Sequence, residues 1–561
     1  MINRRTFLKR SAQTAILAAS AAELGSLSRI AIAAPIPLGM QELRIPSVIS
    51  GGDFTLASST FKIYPDADTN IFSINNSFLA PTIKVKKGDT FVAAVHNDLN
   101  ESTVLHWHGI HAPSTMSGHP KDAVQPGSSY LVNFPIIQRA CTSFYHAHPD
   151  MNTGKQVYMG MSGFFIIEDD EEKALGLPSG EYDIPLMIQD RRFDSNRQLI
   201  YSPSNLDINS GWLGDTILVN GTPNAHLSVA PTLYRFRLVN GSNSRFYKIA
   251  LSDGKSFTVI GTDGGLMDKT LTLANAWLAP AERLDILIDF SPYSQGQSVN
   301  LQSLKFTFSD GAGSGTVAQG AAMDLMQFQI TKTGSSGSTI PQQLPGIVKY
   351  NADDAKRTRI WTFAAIHHIN DKPFDMNRID ANVPFGELEK WTFISEAENT
   401  HPVHIHGLQF QVLDRNGSAP DPTEAGWKDI VRLDPQGQVN VLLKFTDYTG
   451  LFLIHCHKLE HADMGMMANF EVGSSGAVNE DTQPSNTMKI SPNPASQYAV
   501  LYFPSLEKDG LLTILDDKGS TIQRELLAAG SDRYGIATSH FASGSYKIFL
   551  DEQCVNLVVV K

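Results

Sequence analysis

Residues 455–466 read His-Cys-His-Lys-Leu-Glu-His-Ala-Asp-Met-Gly-Met. Cys456 stands between two histidines, His461 follows it by five residues and Met466 by five more. Two imidazoles, one thiolate and a weak axial thioether are the donors of a blue-copper, or type-1, site. His455 and His457 are left over for another task. Three more clusters point to it: His106-Trp107-His108, His146-Ala147-His148 and His401-Pro402-Val403-His404-Ile405-His406. Ten of the 17 histidines fall in these four groups, a density that calls for metal.

The elements that must position them are strands. Side chains at i and i+2 share a face and stand roughly 6–7 Å apart, so each His-x-His pair offers one ligand to each of two neighbouring metals. In 455–457 the thiolate then points away from its two neighbours. His404 and His406 share a face and His401 falls on the other. Joining these two segments builds two sites. One gathers His401, Cys456, His461 and Met466, and the other gathers His404, His406, His455 and His457. Backbone through Cys456 links them. The second site is completed by His106, His108, His146 and His148 from a different domain. Eight histidines can hold three coppers, and with the blue copper that makes about four ions, matching the four electrons dioxygen needs to become water.

The motifs HWHG (106–109), YHAHP (145–149), HPVHIHG (401–407) and HCHKLEHADMGMM (455–467) make the chain resemble the bacterial three-domain multicopper oxidases: laccases, bilirubin oxidases and cuprous oxidases. DIPLMIQDRRF (183–193), GDTILVNG (214–221), DGGL (263–266) and AGWKD (425–429) extend the resemblance over roughly residues 45–472. It implies an all-β chain of three cupredoxin-like Greek-key β-sandwich domains. It also implies that His401, Cys456, His461 and Met466 hold the type-1 copper, that His106 and His404 hold the type-2 copper, and that His108, His146, His148, His406, His455 and His457 hold a binuclear pair. The activity implied is one-electron oxidation of a small reductant coupled to reduction of dioxygen to water.

Two positions depart from the family. Met116-Ser117-Gly118 stands where many members carry Met-Asp-Gly, and Ala462 stands where bacterial members often have Glu. Both family acids are thought to deliver protons, a task for positioned carboxylates; Asp122, Glu460 and Asp463 are nearby and able to take it. No Met occurs in the stretch before His401, nor in 340–366, so the reading favours phenols and aromatic amines over Cu(I). The alternatives are a cuprous oxidase and, of another class, a copper-holding or structural surface protein. Exposed edges of His461 or His401 are expected to receive the electrons. Met464 and Met467 read as packing residues and Trp107 as a core residue. His96, His111, His119, His226, His367, His368 and His540 read as solvated or hydrogen-bonded.

Arg4-Arg5-Thr6-Phe7-Leu8-Lys9 and an Ala-rich stretch ending at Ala31-Ile32-Ala33 resemble a twin-arginine signal over 1–33. The expected domains are 45–170, 171–335 and 345–473, followed by a linker at 474–487. The module 488–561, opening on Ser491-Pro492-Asn493-Pro494, resembles a type IX secretion sorting domain and forms a fourth, smaller β-sandwich. These ends imply an exported, monomeric protein in the periplasm, on the cell surface or outside the cell. Three cysteines exclude a disulfide framework, and Cys141 and Cys554 are expected to be buried thiols. No other segment offers the ~20 apolar residues of a membrane span. A formal charge of −12 without a basic cluster past the signal argues against nucleic acid and favours neutral or cationic reductants.

Overall fold

A computed structural model describes residues 39–308, 313–364, 367–473, 488–491, 498–504, 506, 508–527, 533–538, 541–551 and 553–560. The signal-like segment 1–33, the linker 474–487, His540 and Pro492-Asn493-Pro494 lie outside them. The chain is a series of two-sheet sandwiches. In the first, a five-stranded sheet containing Leu105–His108, Cys141–Ala147 and Ser162–Glu168 faces a four-stranded sheet built from Gly52–Phe61, Thr69–Ile74, Thr90–Asp98 and Ser129–Pro135. The second pairs a seven-stranded with a six-stranded sheet, and the third a four-stranded with a five-stranded sheet. A short strand, Gln41–Glu42, runs parallel to Ala225 and His226 and so joins the second sandwich rather than the first. The C-terminal residues form a three-stranded and a four-stranded sheet around Leu501, Leu512, Ile514, Ile548 and Leu557. No helix among the described residues is long and apolar enough to cross a membrane.

Strand alternation explains why the histidines are where they are. In Leu105–His108, Leu105 and Trp107 pack in the first core, so His106 and His108 must face outward. Cys141, Tyr145 and Ala147 do the same in Cys141–Ala147, leaving Phe144 and His146 on the opposite face. In the third sandwich Val403 and Ile405 enter the core and His404 does not; Phe452, Ile454 and Cys456 enter it and His455 does not. The outward faces are still buried, because they meet one another across the interface between the sandwiches.

Register completes the placement. Leu105–His108 pairs antiparallel with Cys141–Ala147 so that His106 lies opposite His146. His401–Ile405 pairs antiparallel with Gly450–Cys456 so that His404 lies opposite His455 and Val403 opposite Cys456. A one-residue slip in either pair would turn its ligands into the core. Trp107 packs against Phe54 and Phe91 in the core. Met467 is buried, but Met464 is 52% exposed: it sits at the end of the short helix Leu459–Asp463, where its side chain points to solvent. Cys141 is buried and its thiol is pushed up to about 12, chiefly by burial. Cys554 is exposed, because it lies near the start of the strand Gln553–Val559, where the outer positions face water.

Candidate metal centres

The eight interface histidines form one cluster in which none is more than 4% exposed. Ring nitrogens within 4.8 Å of one another define the groups His106/His108/His404, His108/His146/His457 and His148/His406/His455. Each group draws on the first and the third sandwich. Rings from the two sides stack, His108 on His404 at 3.7 Å and His106 on His406 at 3.8 Å between centroids.

Their hydrogen bonds show what the cluster is built to hold. His106 donates its Nδ1–H to Ser117 O at 2.6 Å and His404 donates its Nδ1–H to Asp429 O at 2.7 Å. Both tautomers are thereby set, and the two Nε2 lone pairs face each other at 3.4 Å with no proton between them. A metal cation satisfies that contact. His146 and His455 likewise donate Nδ1–H to the carbonyls of Ala147 and Cys456, each at 2.9 Å. His455 Nε2 then lies 3.2 Å from His406 Nε2 and 3.4 Å from His148 Nε2. In the remaining group, His108 Nδ1, His146 Nε2 and both nitrogens of His457 are buried without a hydrogen-bond partner. Buried nitrogens left unpaired cost about 1–3 kcal/mol each unless something binds them. Burial, joined in all but His146 by repulsion from neighbouring rings, lowers the pKa of all eight, to about 4 for His146 and His455, so the rings are neutral and free to ligate.

The second centre lies on the core side of Gly450–Cys456. Cys456 Sγ is 3.5 Å from His401 Nδ1 and 3.7 Å from His461 Nδ1, and the two nitrogens are 3.3 Å apart. All three residues are buried, and Met466 is buried in the same core, its carbonyl accepting the Cys456 N–H at 3.1 Å. The Lys458 N–H points at the sulfur from 3.4 Å. This is the donor set of a type-1 site, and the residues fit copper at both centres.

The ligand edges are not exposed. His461 is 0% and His401 1% exposed, which corrects the expectation of solvent-facing edges. The short helix Asn205–Ser210 of the second sandwich covers His461, which donates its Nε2–H to Asn209 O at 3.0 Å. His367 lies over the His461 ring, centroids 4.4 Å apart. Sequence reading missed both coverings, and nothing in the Asn205–Ser210 stretch signals them.

It also missed Asp429, although AGWKD had singled out its segment. Asp429 Oδ1 accepts the His108 Nε2–H at 3.1 Å and an Arg283 N–H at 2.8 Å, and Oδ2 pairs with the same guanidinium. Asp429 thus anchors two histidines, His108 by its carboxylate and His404 by its carbonyl. Glu460 and Asp463 stand elsewhere. Asp463 accepts the N–H groups of Thr153 and Gly154, each at 2.8 Å, and Glu460 accepts hydrogen bonds from Tyr201, Trp212, Asn243 and Ser244. No hydrogen bond or ion pair among the described residues joins either acid to a cluster histidine. Asp122 pairs with Lys121 through Oδ1, and its Oδ2 is buried without a hydrogen-bond partner. Of the other histidines, His119 is buried and donates to Asn469 Oδ1 at 2.8 Å, and His111 pairs with Asp447 at 2.5 Å.

An all-β protein in which a buried thiolate–imidazole site is joined through backbone to a nest of neutral histidines belongs to the class of copper oxidoreductases. Three segments, 56–172, 190–311 and 339–476, match family models described as multicopper oxidase. A multicopper oxidase of Staphylococcus aureus is 34% identical over 451 residues, covering 77% of this chain and 93% of that one. A laccase of Bacillus subtilis is 31% identical over 514 residues, or 80% of this chain and 99% of the laccase. The crystal structure of the McoA multicopper oxidase of Aquifex aeolicus is 36% identical with a TM-score of 0.71, over 78% of this chain and 100% of that one. The chain belongs to the multicopper oxidase family. It is an oxidoreductase that uses oxygen, and copper is its cofactor.

Proposed function

We propose that the protein is a laccase-like oxidase of phenols and aromatic amines that reduces dioxygen to water. His401, Cys456, His461 and Met466 would hold the type-1 copper, His106 and His404 the type-2 copper, and His108, His146, His148, His406, His455 and His457 the binuclear pair. The observation that carries this reading is the facing pair of Nε2 lone pairs on His106 and His404, set by two backbone carbonyls. Copper at these positions supplies one-electron redox steps and, as a set of four ions, the four electrons dioxygen takes.

The chain's own residues do the rest. Cys456 faces one centre while its neighbours His455 and His457 face the other, so the centres share a covalent path of one or two residues. The carbonyls of Ser117, Ala147, Asp429 and Cys456 orient four rings and keep their Nε2 atoms deprotonated. Burial of the interface excludes bulk water from the cluster. Glu460 and Asp463 tie the helix that carries His461 to the helix Thr153–Tyr158 just after His148, and so set the spacing between the two centres. Support for phenols over Cu(I) is the covering of His461: Asn209 and His367 contribute amide and imidazole groups and no thioether. The segments 45–170, 171–335 and 345–473 are the three cupredoxin-like domains in this reading. The twin-arginine-like segment and the sorting-like module support export.

The test is oxygen uptake by the copper-loaded protein, with hydroquinone and with Cu(I) as sole reductants. Faster uptake with hydroquinone supports the proposal. Uptake with Cu(I) alone would replace it with a cuprous oxidase, and none with either would remove turnover altogether.

A further inference from the structure

We propose that reductants pass their electron to the type-1 centre through the ring of His367, which packs on His461 and keeps 6% of its surface exposed where His461 keeps none. The inference rests on the assignment of His401, Cys456 and His461 to that centre. His461 has no open side. Its Nδ1 faces Cys456 and His401, its Nε2–H is donated to Asn209 O at 3.0 Å, and its ring meets the His367 ring at 4.4 Å with a 46° tilt. His401 is as deeply placed. A donor molecule therefore cannot touch either ligand.

His367 is held as a part of this arrangement. Its Nε2–H is donated to the side-chain oxygen of Asn209 at 3.1 Å, so one asparagine fastens both rings, His461 by its carbonyl and His367 by its amide. Its Nδ1 is buried without a hydrogen-bond partner. Its backbone sits at φ 59°, a left-handed conformation that is strained for a non-glycine residue and persists where surrounding contacts impose it. The next residue, His368, is only half-buried. An aromatic ring in contact with the ligand thus extends the electron path outward from the buried site. The step balances simply: each phenol loses one electron and one proton, and four electrons with four protons convert dioxygen to two waters.

The test uses the copper-loaded full chain and follows anaerobic bleaching of the blue thiolate band by hydroquinone in a stopped-flow instrument, with band intensity, copper content and type-1 potential measured alongside. Expected for His367→Ala is an unchanged band, copper content and potential, with bleaching at saturating hydroquinone slowed about tenfold or more, equivalent to about 1.4 kcal/mol of barrier. His367→Phe keeps a ring at the contact, and its rate is expected to stay within about threefold of the parent. Bleaching of His367→Ala at the parent rate overturns the bridge. So does a His367→Phe rate as low as that of His367→Ala, since the hydrogen bond to Asn209 would then matter and the ring would not. If His367→Ala loses copper, His367→Leu, which fills the same space without an aromatic ring, decides: slowed bleaching beside a parent-like His367→Phe supports the bridge, and bleaching at the parent rate overturns it. A parent protein with no blue band overturns the type-1 assignment itself, an outcome distinct from a blue parent with an indifferent His367→Ala.

Discussion

Replacing Asp429 by Asn tests whether the copper cluster depends on a residue that binds no copper. The carboxylate accepts the His108 Nε2–H and two N–H groups of Arg283, and all three residues are fully buried. An amide of the same shape has one acceptor oxygen and no charge. Its oxygen can still accept from His108 and one Arg283 N–H, as Oδ1 does now, but without the charge, and its NH2 group must then face the guanidinium in place of Oδ2. Arg283 would keep only Asp263, 3.5 Å away, as a counter-charge. Breaking one partner out of a buried pair costs roughly 3–5 kcal/mol, and the lower end applies here because Asp263 remains. With its Nε2–H held by a neutral oxygen in place of a carboxylate, His108 keeps a weaker preference for a bare Nδ1. Loss of such an anchor weakens metal binding by roughly 10–100-fold. The proposed blue centre, His401, Cys456, His461 and Met466, contains none of these residues. The expected outcome is therefore selective: with free copper buffered by a chelator, Asp429→Asn holds fewer coppers per chain and consumes little oxygen, yet keeps the full blue band. Copper analysis, visible absorption and oxygen uptake on one sample give the answer. Parent copper content with parent oxygen uptake would refute the anchoring argument, and equal loss of the blue band would show a general failure of folding instead.

Other substitutions separate the remaining parts. Cys456→Ser removes the only thiolate of the proposed type-1 site, so the blue band and oxygen uptake should vanish while copper at the eight histidines is retained in the copper analysis. Gly118→Ala adds a Cβ 2.1 Å from Leu105 O at a residue with φ 84°. Left-handed strain of roughly 1–2 kcal/mol and overpacking of roughly 1–3 kcal/mol should lower the denaturation midpoint and displace the Ser117 carbonyl from His106. Glu172 governs an acid limb of stability: burial alone would raise its pKa, but Arg235 and Arg237 outweigh it and hold the carboxyl at about 2. Because the folded value is depressed, this stabilisation is present above pH 4.5 and lost as pH falls through about 2, a contribution of about 3 kcal/mol. Glu172→Gln should destabilise the protein at neutral pH by that order and flatten the acid limb, as read from urea midpoints between pH 3 and pH 7.

The family, the copper chemistry and the grouping of ligands were legible in the chain because strand geometry is local. A period of two fixes which of His401, His404, Cys456 and His455 share a face, and no knowledge of distant residues is needed to see that Cys456 opposes its neighbours. The pairing of His106 with His404, nearly 300 positions apart, was reachable only through the resemblance, since nothing local specifies which sheets meet. The acids show the limit more sharply. Glu460 and Asp463 lie beside the ligands in sequence, yet Asp463 meets the Thr153–Tyr158 helix and Glu460 meets Tyr201, Trp212, Asn243 and Ser244, whereas Asp429 reaches His108 across 321 positions.

By itself, then, the sequence determined the donor atoms, the two faces of each ligand strand and the covalent link through Cys456, all consequences of side-chain chemistry and backbone period. Tertiary structure alone decided how closed the centres are and who orients them. Burial of His461 under Asn209 and His367, and anchoring of His108 by an Asp429–Arg283 pair, arise where sandwiches dock, and docking depends on the shapes of whole surfaces that no short stretch of residues encodes.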